Sequence, residues 1–121
     1  MAQPCTAILI DPIARIVTEV TWNGDYKHIA QLTECDTYDC ARINAQGDGI
    51  FVDDEGLFKE QQCFFLHEDY PQPLAGKGLV LGCDEEGESV RPHTTLEEVR
   101  QRVRFVVPVR INGGEITWLD A

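Results

Sequence analysis

Alternating apolar and polar positions predict β-strands along most of the chain. The alternating segments are rich in β-branched and aromatic residues and end at Gly, Pro, Asn or Asp. Short polar turns between them predict β-hairpins across residues 11–15, 44–49 and 112–114. Pro108 predicts that its strand lies at a sheet edge or contains a bulge. The predicted strands lie at residues 6–10, 16–22, 37–43, 50–52, 63–66, 79–81, 105–111 and 116–119.

The stretch 73–87 joins a Gly-rich turn, a short apolar run and an acidic turn. Its centre, residues 79–81, is apolar at every position, which predicts a strand that is covered on both faces. Nearby glycines disfavour a helix, because each glycine costs about 1 kcal/mol in a helix interior. Gly76 and Gly78 allow either a positive φ or a close neighbour.

Helical spacing predicts two helices, at residues 26–33 and from about residue 95 to 102. Residues 57–62 also contain fair helix formers but have no clear pattern. The candidate caps are Asn23 or Asp25 for the first helix, and Thr94 with Glu97 or Thr95 with Glu98 for the second. We therefore predict one α+β domain over residues 1–121, with a mostly antiparallel sheet of six to eight strands and two helices.

The net charge of −11, from 21 acidic and 10 basic residues, limits the possible partners. Such a chain is repelled by nucleic acid and by anionic membranes, so the expected charged partners are cations or basic protein surfaces. The five cysteines are an odd number without a C-x-x-C pair, and residues 1–4 do not resemble a signal peptide. We expect a cytoplasmic protein with reduced thiols, no metal and no cofactor.

Two acidic turns are the candidate partner-binding site. Each follows a predicted strand, and turn residues at strand ends face water. If both turns lie at the same end of the sheet, they form one negative patch that would speed encounter with a basic groove. The candidate residues are Asp53, Asp54 and Glu55 in the first turn, and Asp84, Glu85, Glu86 and Glu88 in the second.

A small-ligand site is the alternative, with Gly76, Lys77 and Gly78 near an anionic group such as that of a nucleotide. The spacing matches neither a dinucleotide fingerprint nor a Walker loop, since the third glycine comes one residue late and Lys77 precedes Gly78. An enzyme is the third possibility. No nucleophile motif is present, although a dyad of Cys63 and His67 remains open.

Several segments together resemble a family of small acidic proteins of unknown function carried by bacteriophages, prophages and plasmids. The similarity extends from about residue 6 to residue 105, and the stretch 73–78 with the following Gly-x-Asp turn is its most specific part. The resemblance implies a mobile element in a bacterial host cell. Small acidic phage proteins often inhibit host defence by occupying basic nucleic-acid grooves, so such an inhibitor is the expected function. The matching segments are Ala7–Pro12, Asn23–Gly24, Val52–Leu57, Pro73–Gly78 and Gly82-x-Asp84-x-x-Gly87.

Overall fold

The computed structural model of the protein describes residues 3–56 and 63–121. These residues form ten strands and two helices, so the predicted α+β class is confirmed. The strands are β1 (Cys5–Asp11), β2 (Ile16–Trp22), β3 (Tyr38–Arg42), β4 (Gly49–Asp53), β5 (Phe64–His67), β6 (Leu74–Ala75), β7 (Gly78–Cys83), β8 (Ser89–Val90), β9 (Val103–Ile111) and β10 (Glu115–Asp120). The helices are α1 (Tyr26–Thr33) and α2 (Leu96–Arg102), and a 3-10 turn, Asn112–Gly114, joins β9 to β10.

The strands form two antiparallel sheets, where the sequence predicted one. Sheet one has the order β2-β1-β7-β4-β3, with β8 beside β7, and sheet two has the order β10-β9-β5-β6. All eight predicted strands are present, and the two further strands, β6 and β8, have two residues each. Such short strands are below the length at which alternation can be recognised.

Strand β7 is the buried centre of sheet one. Leu79 and Leu81 pack on one face with Trp22 and Ile29 of β2 and α1. Val80 lies on the opposite face, within the cluster that sheet one forms with sheet two and α2. The predicted strand covered on both faces is therefore confirmed.

Each helix begins at one of the two alternative caps that the sequence predicted for it. The Asp25 side chain accepts a hydrogen bond from the Lys27 backbone at the start of α1. At the start of α2, Thr95 and Glu98 form a capping box. Each cap satisfies backbone N–H groups that have no partner within the helix. The interpretation of residues 57–62 as helix formers falls outside the described residues.

Strand β9 pairs with different strands in its two halves. Over Val103–Val106 it pairs with β5 on one side, and from residue 106 onward it pairs with β10 on the other. Pro108 lies two residues beyond Val106, the last residue paired with β5. Among the described residues, β9 therefore has no β5 partner at Pro108, in keeping with the predicted edge position, while the first half of β9 lies inside sheet two and that prediction is wrong there.

The two glycines at the start of β7 have different roles. Gly76 has a φ of 80°, in the left-handed region that favours glycine. Gly78 lacks a positive φ and is instead crowded: an added Cβ would lie 2.7 Å from Ile50 Cγ2 and 2.9 Å from Phe65 Cζ. The absence of a side chain at Gly78 lets sheet two pack closely on sheet one.

We expect Gly78→Ala to lower the free energy of unfolding by about 1–3 kcal/mol, and Gly78→Val to lower it further, because both overpack the core. Urea unfolding of the variants measures this loss. Phe65→Leu removes the crowding ring atoms, so the double variant with Gly78→Ala should lose less stability than the sum of the single variants. Strictly additive losses would contradict the crowding explanation.

Candidate functional site

The two acidic turns lie at opposite ends of sheet one. Strands β4 and β7 are antiparallel, with Phe51 opposite Leu79 and Gly49 opposite Leu81. The turn after β4 therefore lies beside the start of β7, and the turn after β7 lies at its other end. The length of β7, about 3.3 Å per residue and on the order of 20 Å, separates them. The single negative patch does not form, and the reason for preferring a groove-blocking acidic face is removed.

Within each turn, the first aspartate stabilises the local backbone. Asp84 Oδ1 accepts hydrogen bonds from the backbone N–H groups of Glu86 and Glu88, at 2.9 and 2.8 Å. Asp53 Oδ1 accepts one from the Glu55 backbone at 2.9 Å. These are Asx-type turn contacts. The remaining predicted side chains differ in exposure: Asp54, Glu55, Glu85 and Glu86 are exposed, and Glu88 is half-buried.

The Gly76–Gly78 loop has its only cation engaged by acidic groups. Lys77 Nζ donates to Glu34, at the end of α1, and lies 3.9 Å from Asp11 Oδ2. The hydrogen bond to Glu34 raises the pKa of Lys77. An anionic ligand at this loop would face the two carboxylates, so the geometry does not favour the small-ligand alternative.

Asp48 is a fully buried carboxylate that the sequence analysis did not single out. Its Oδ2 accepts hydrogen bonds from Asn44 Nδ2 at 2.9 Å and from the Thr94 backbone at 2.8 Å, and its Oδ1 accepts from the His93 backbone at 2.9 Å. Burial alone would raise the pKa of Asp48, but these hydrogen bonds outweigh it and hold the pKa below its ordinary value. The carboxylate thus fastens the segment before α2 to the start of β4.

The contact of Asp48 with His93 does not have the geometry of a catalytic pair. His93 Nδ1 lies 3.5 Å from Asp48 Oδ1, which is longer than an orienting hydrogen bond. Gly82 lies beside this contact and leaves no room for a side chain. An added Cβ would lie 2.8 Å from the Arg91 carbonyl oxygen and 3.1 Å from Asp48 Oδ1. The residues that meet here serve packing and loop attachment.

His67 is a second buried polar residue, with 2% of its surface exposed. Its Nδ1 accepts a hydrogen bond from the Asp69 backbone at 3.0 Å, so the proton of the neutral ring lies on Nε2. That atom has no hydrogen-bond partner in the described part of the chain. Burial lowers the pKa of His67. Because β5 is extended, Cys63 lies about 13 Å away along the chain, too far to form the suggested dyad.

Clefts and clusters of possible metal ligands are the remaining candidate sites. One cleft has a volume of about 480 Å³ and lies between β1, β2 and the segment before α2. Arginine, glutamate, histidine and threonine residues contribute to its lining. Among residues 3–56 and 63–121, no three His, Cys, Asp or Glu side chains are placed to hold a metal ion.

The β9–β10 arm, defined as residues 107–119, has three exposed large apolar side chains. Beyond Val106, the described residues provide no strand on the β5 side of β9, so the arm is a two-stranded ribbon. Val107 and Leu119 lie opposite each other and are 40% and 49% exposed. Ile116 is 53% exposed. A two-stranded ribbon alone is only marginally stable in water, so a surface that covers this arm would stabilise it.

Both faces of the arm carry apolar side chains. One face has Val107, Val109 and Leu119 in register around Thr117, and it continues the face on which Phe65 lies in the core. The other face has Pro108, Ile116 and Trp118 with Arg110. Trp118 makes an edge-on contact with Phe64, with ring centroids 5.0 Å apart. An antiparallel ribbon in water normally has one polar face, whereas this one exposes apolar side chains on both faces.

Comparison of the chain with protein-family models, with curated proteins and with solved structures finds no match. The resemblance to small acidic proteins of mobile elements therefore stays a hypothesis. No helix in the described ranges is long and apolar enough to cross a membrane.

We expect Asp48→Asn to lower the free energy of unfolding by about 2–4 kcal/mol, because an amide cannot accept from both backbone N–H groups and leaves a buried donor unpaired. Thermal or urea unfolding at pH 7 measures this. Asp36→Asn makes the same chemical change at an exposed position and should alter stability by no more than about 0.5 kcal/mol. Equal effects of the two substitutions would show that the Asp48 contacts are not stabilising.

The burial of His67 predicts a loss of stability on acidification. Its pKa in the folded protein is lower than in the unfolded chain, where it is close to 6.5. Protonation therefore favours unfolding, and the contribution present above pH 6.5 is lost as pH falls toward the lowered value. The free energy of unfolding, measured by urea titration from pH 7.5 to 5, should fall more steeply for the wild type than for His67→Leu. Parallel pH profiles would contradict this assignment.

Proposed function

We propose that the protein is an interaction protein that binds a partner protein through the β9–β10 arm. The observation that carries the proposal is the arm itself, which exposes apolar side chains on both faces beyond the last pair with β5. Exposed apolar patches on small proteins mark interaction surfaces, and aromatic residues such as Trp118 are enriched at them. Neither acidic turn offers a comparable apolar contact area.

The net charge determines which partners suit this arm. With 21 acidic and 10 basic residues, the chain repels acidic surfaces and attracts basic ones over the distance that salt leaves unscreened. The acidic turns would then steer encounter, each from its own end of sheet one, while the arm makes the contact. A host defence or nucleic-acid-handling protein with a basic surface is the partner class that this charge and the mobile-element resemblance support, in the cytoplasm of a bacterial cell.

We expect a variant with Val107→Thr, Ile116→Thr and Leu119→Thr to lose the partner while keeping its fold. Threonine retains β propensity and removes the apolar contact. The tagged wild type and variant are compared by capture from a bacterial lysate and by mass spectrometry of the retained proteins. Circular dichroism and melting confirm the fold of each.

The matched control is the double variant Ile13→Thr and Ile16→Thr, which removes exposed apolar side chains at the β1–β2 hairpin instead. It should retain the same proteins as the wild type. Retention of the same proteins by the arm variant would refute the proposed function. Loss of them by the control as well would show that the capture reflects non-specific apolar contact.

A further inference from the structure

The four sheet edges differ in how they are protected. At β2, Arg100 Nε and Nη2 donate to the Val17 carbonyl oxygen, at 3.1 and 2.9 Å. At β3, the Asp39 side chain accepts from the Cys40 backbone N–H at 2.8 Å, and β6 has only two residues. Natural sheets protect their edges with such charged side chains and short strands, because an open edge can pair with another chain. Strand β10 has six residues, and in the described part of the chain no such feature protects it between its two ends.

The ladder with β9 shows which groups of β10 point outward. The Ala121 backbone N–H donates to the Phe105 carbonyl at 2.8 Å, so these two residues form a hydrogen-bonded pair. Hydrogen-bonded and non-hydrogen-bonded pairs alternate in an antiparallel ladder. Following the register, the N–H and C=O groups of Ile116, Trp118 and Asp120 point away from β9. In the described ranges, β10 has no strand on that side.

The same alternation explains why Pro108 is tolerated in β9. Its position is opposite Trp118, so its missing N–H would point toward β5, and the last β5 pair is Phe64 with Val106. Proline occurs where a strand has no ladder partner on its N–H side. On the β9 side, Pro108 thus removes a backbone donor that an added strand would need. On the β10 side, the outward N–H and C=O groups remain available, and we call this side the open edge.

We propose that the open edge of β10 binds its partner by strand addition, with an extended basic segment of the partner protein as the added strand. This inference rests on the proposed function and names how the arm makes its contact. Strand addition gains affinity from main-chain hydrogen bonds and specificity from alternate side chains. The backbone of the added strand would form hydrogen bonds with the outward N–H and C=O groups of Ile116, Trp118 and Asp120.

The side chains beside the open edge define the chemistry of the added segment. Alternate residues of the segment would lie next to Ile116 and Trp118 on one face and next to Leu119 on the other, so apolar or β-branched residues suit both faces. Glu115 is exposed and has no ion pair among the described residues, whereas Asp120 is bound by Arg104 at 2.6 Å. A lysine or arginine near Glu115 is therefore the complementary charge.

A second copy of the chain is a poorer occupant than a basic segment. Pairing of two β10 strands would bring together two chains that each carry a charge of −11. Such self-repulsion opposes association, and neither copy offers a basic residue within β10 to offset it.

The test uses a synthetic probe, the peptide Lys-Thr-Val-Thr-Val-Thr-Lys, and the fluorescence of Trp118. The other tryptophan, Trp22, is fully buried in the core, so a change in emission on titration reports on the arm. The peptide should bind the full chain and shift the emission to shorter wavelength. A version with N-methyl groups on alternate residues, and a version with glutamate at both ends, should each bind about tenfold more weakly or worse.

Two substitutions at Ile116 distinguish the contribution of its backbone N–H to peptide binding from that of its side chain. Ile116→Pro removes an outward N–H without removing a bond to β9, and should weaken peptide binding about tenfold. Ile116→Thr keeps that N–H and should change binding by no more than about threefold. The proposal is overturned if the lysine peptide does not bind, if the N-methylated peptide binds equally, or if sedimentation shows a dimer that Ile116→Pro dissociates.

The same variants distinguish a failure of strand addition from a failure of the proposed function. If Ile116→Pro still captures the partner proteins that the triple threonine variant loses, the arm binds through its faces and strand addition is wrong. If the triple threonine variant retains them, the proposed function itself is wrong. Loss of capture with both variants, together with peptide binding to the wild type, supports both proposals.

Discussion

The burial of β7 on both faces is the constraint on which the rest of the structure depends. Leu79, Val80 and Leu81 are all buried, so each face of the strand needs its own cover. Helix α1 covers one face, and sheet two with α2 covers the other. Strands β1 and β4 flank β7 in antiparallel orientation, and this arrangement forces the turns after β4 and β7 to opposite ends. The same constraint that builds the core therefore separates the two acidic turns.

Elements whose contacts join residues close together in the sequence were predictable from it. The Asp25 cap and the box of Thr95 with Glu98 join residues two or three positions apart, and both formed as one of the stated alternatives. The contact of Asp48 with the backbone of His93 joins residues 45 positions apart. No local pattern encodes such a contact. The glycines on both sides of Asp48, directly before a buried strand, were the available sign that this carboxylate is enclosed.

The candidate site was harder to predict, because it depends on which surfaces stay uncovered. The run Phe105 to Val109 is apolar without alternation, as is the run in β7, but Pro108 within it predicted an edge position or a bulge. In β7 both faces are covered, while among residues 3–56 and 63–121 the pairing of β9 with β5 ends at Val106, two residues before Pro108. An apolar run whose second half has no neighbouring strand on the β5 side, in the described part of the chain, is what supports the proposed partner surface.

Charge and the open edge act together in this interpretation. An unprotected apolar edge strand tends to pair with copies of itself, and most proteins place lysine, proline or a bulge there to prevent this. Strand β10 has none of these, but the chain carries a charge of −11, which opposes the approach of a second copy. A basic segment meets no such repulsion and is attracted instead. The acidic residues spread over both ends of sheet one need not form a single patch for this selection, because net charge decides which chains can come close to the edge.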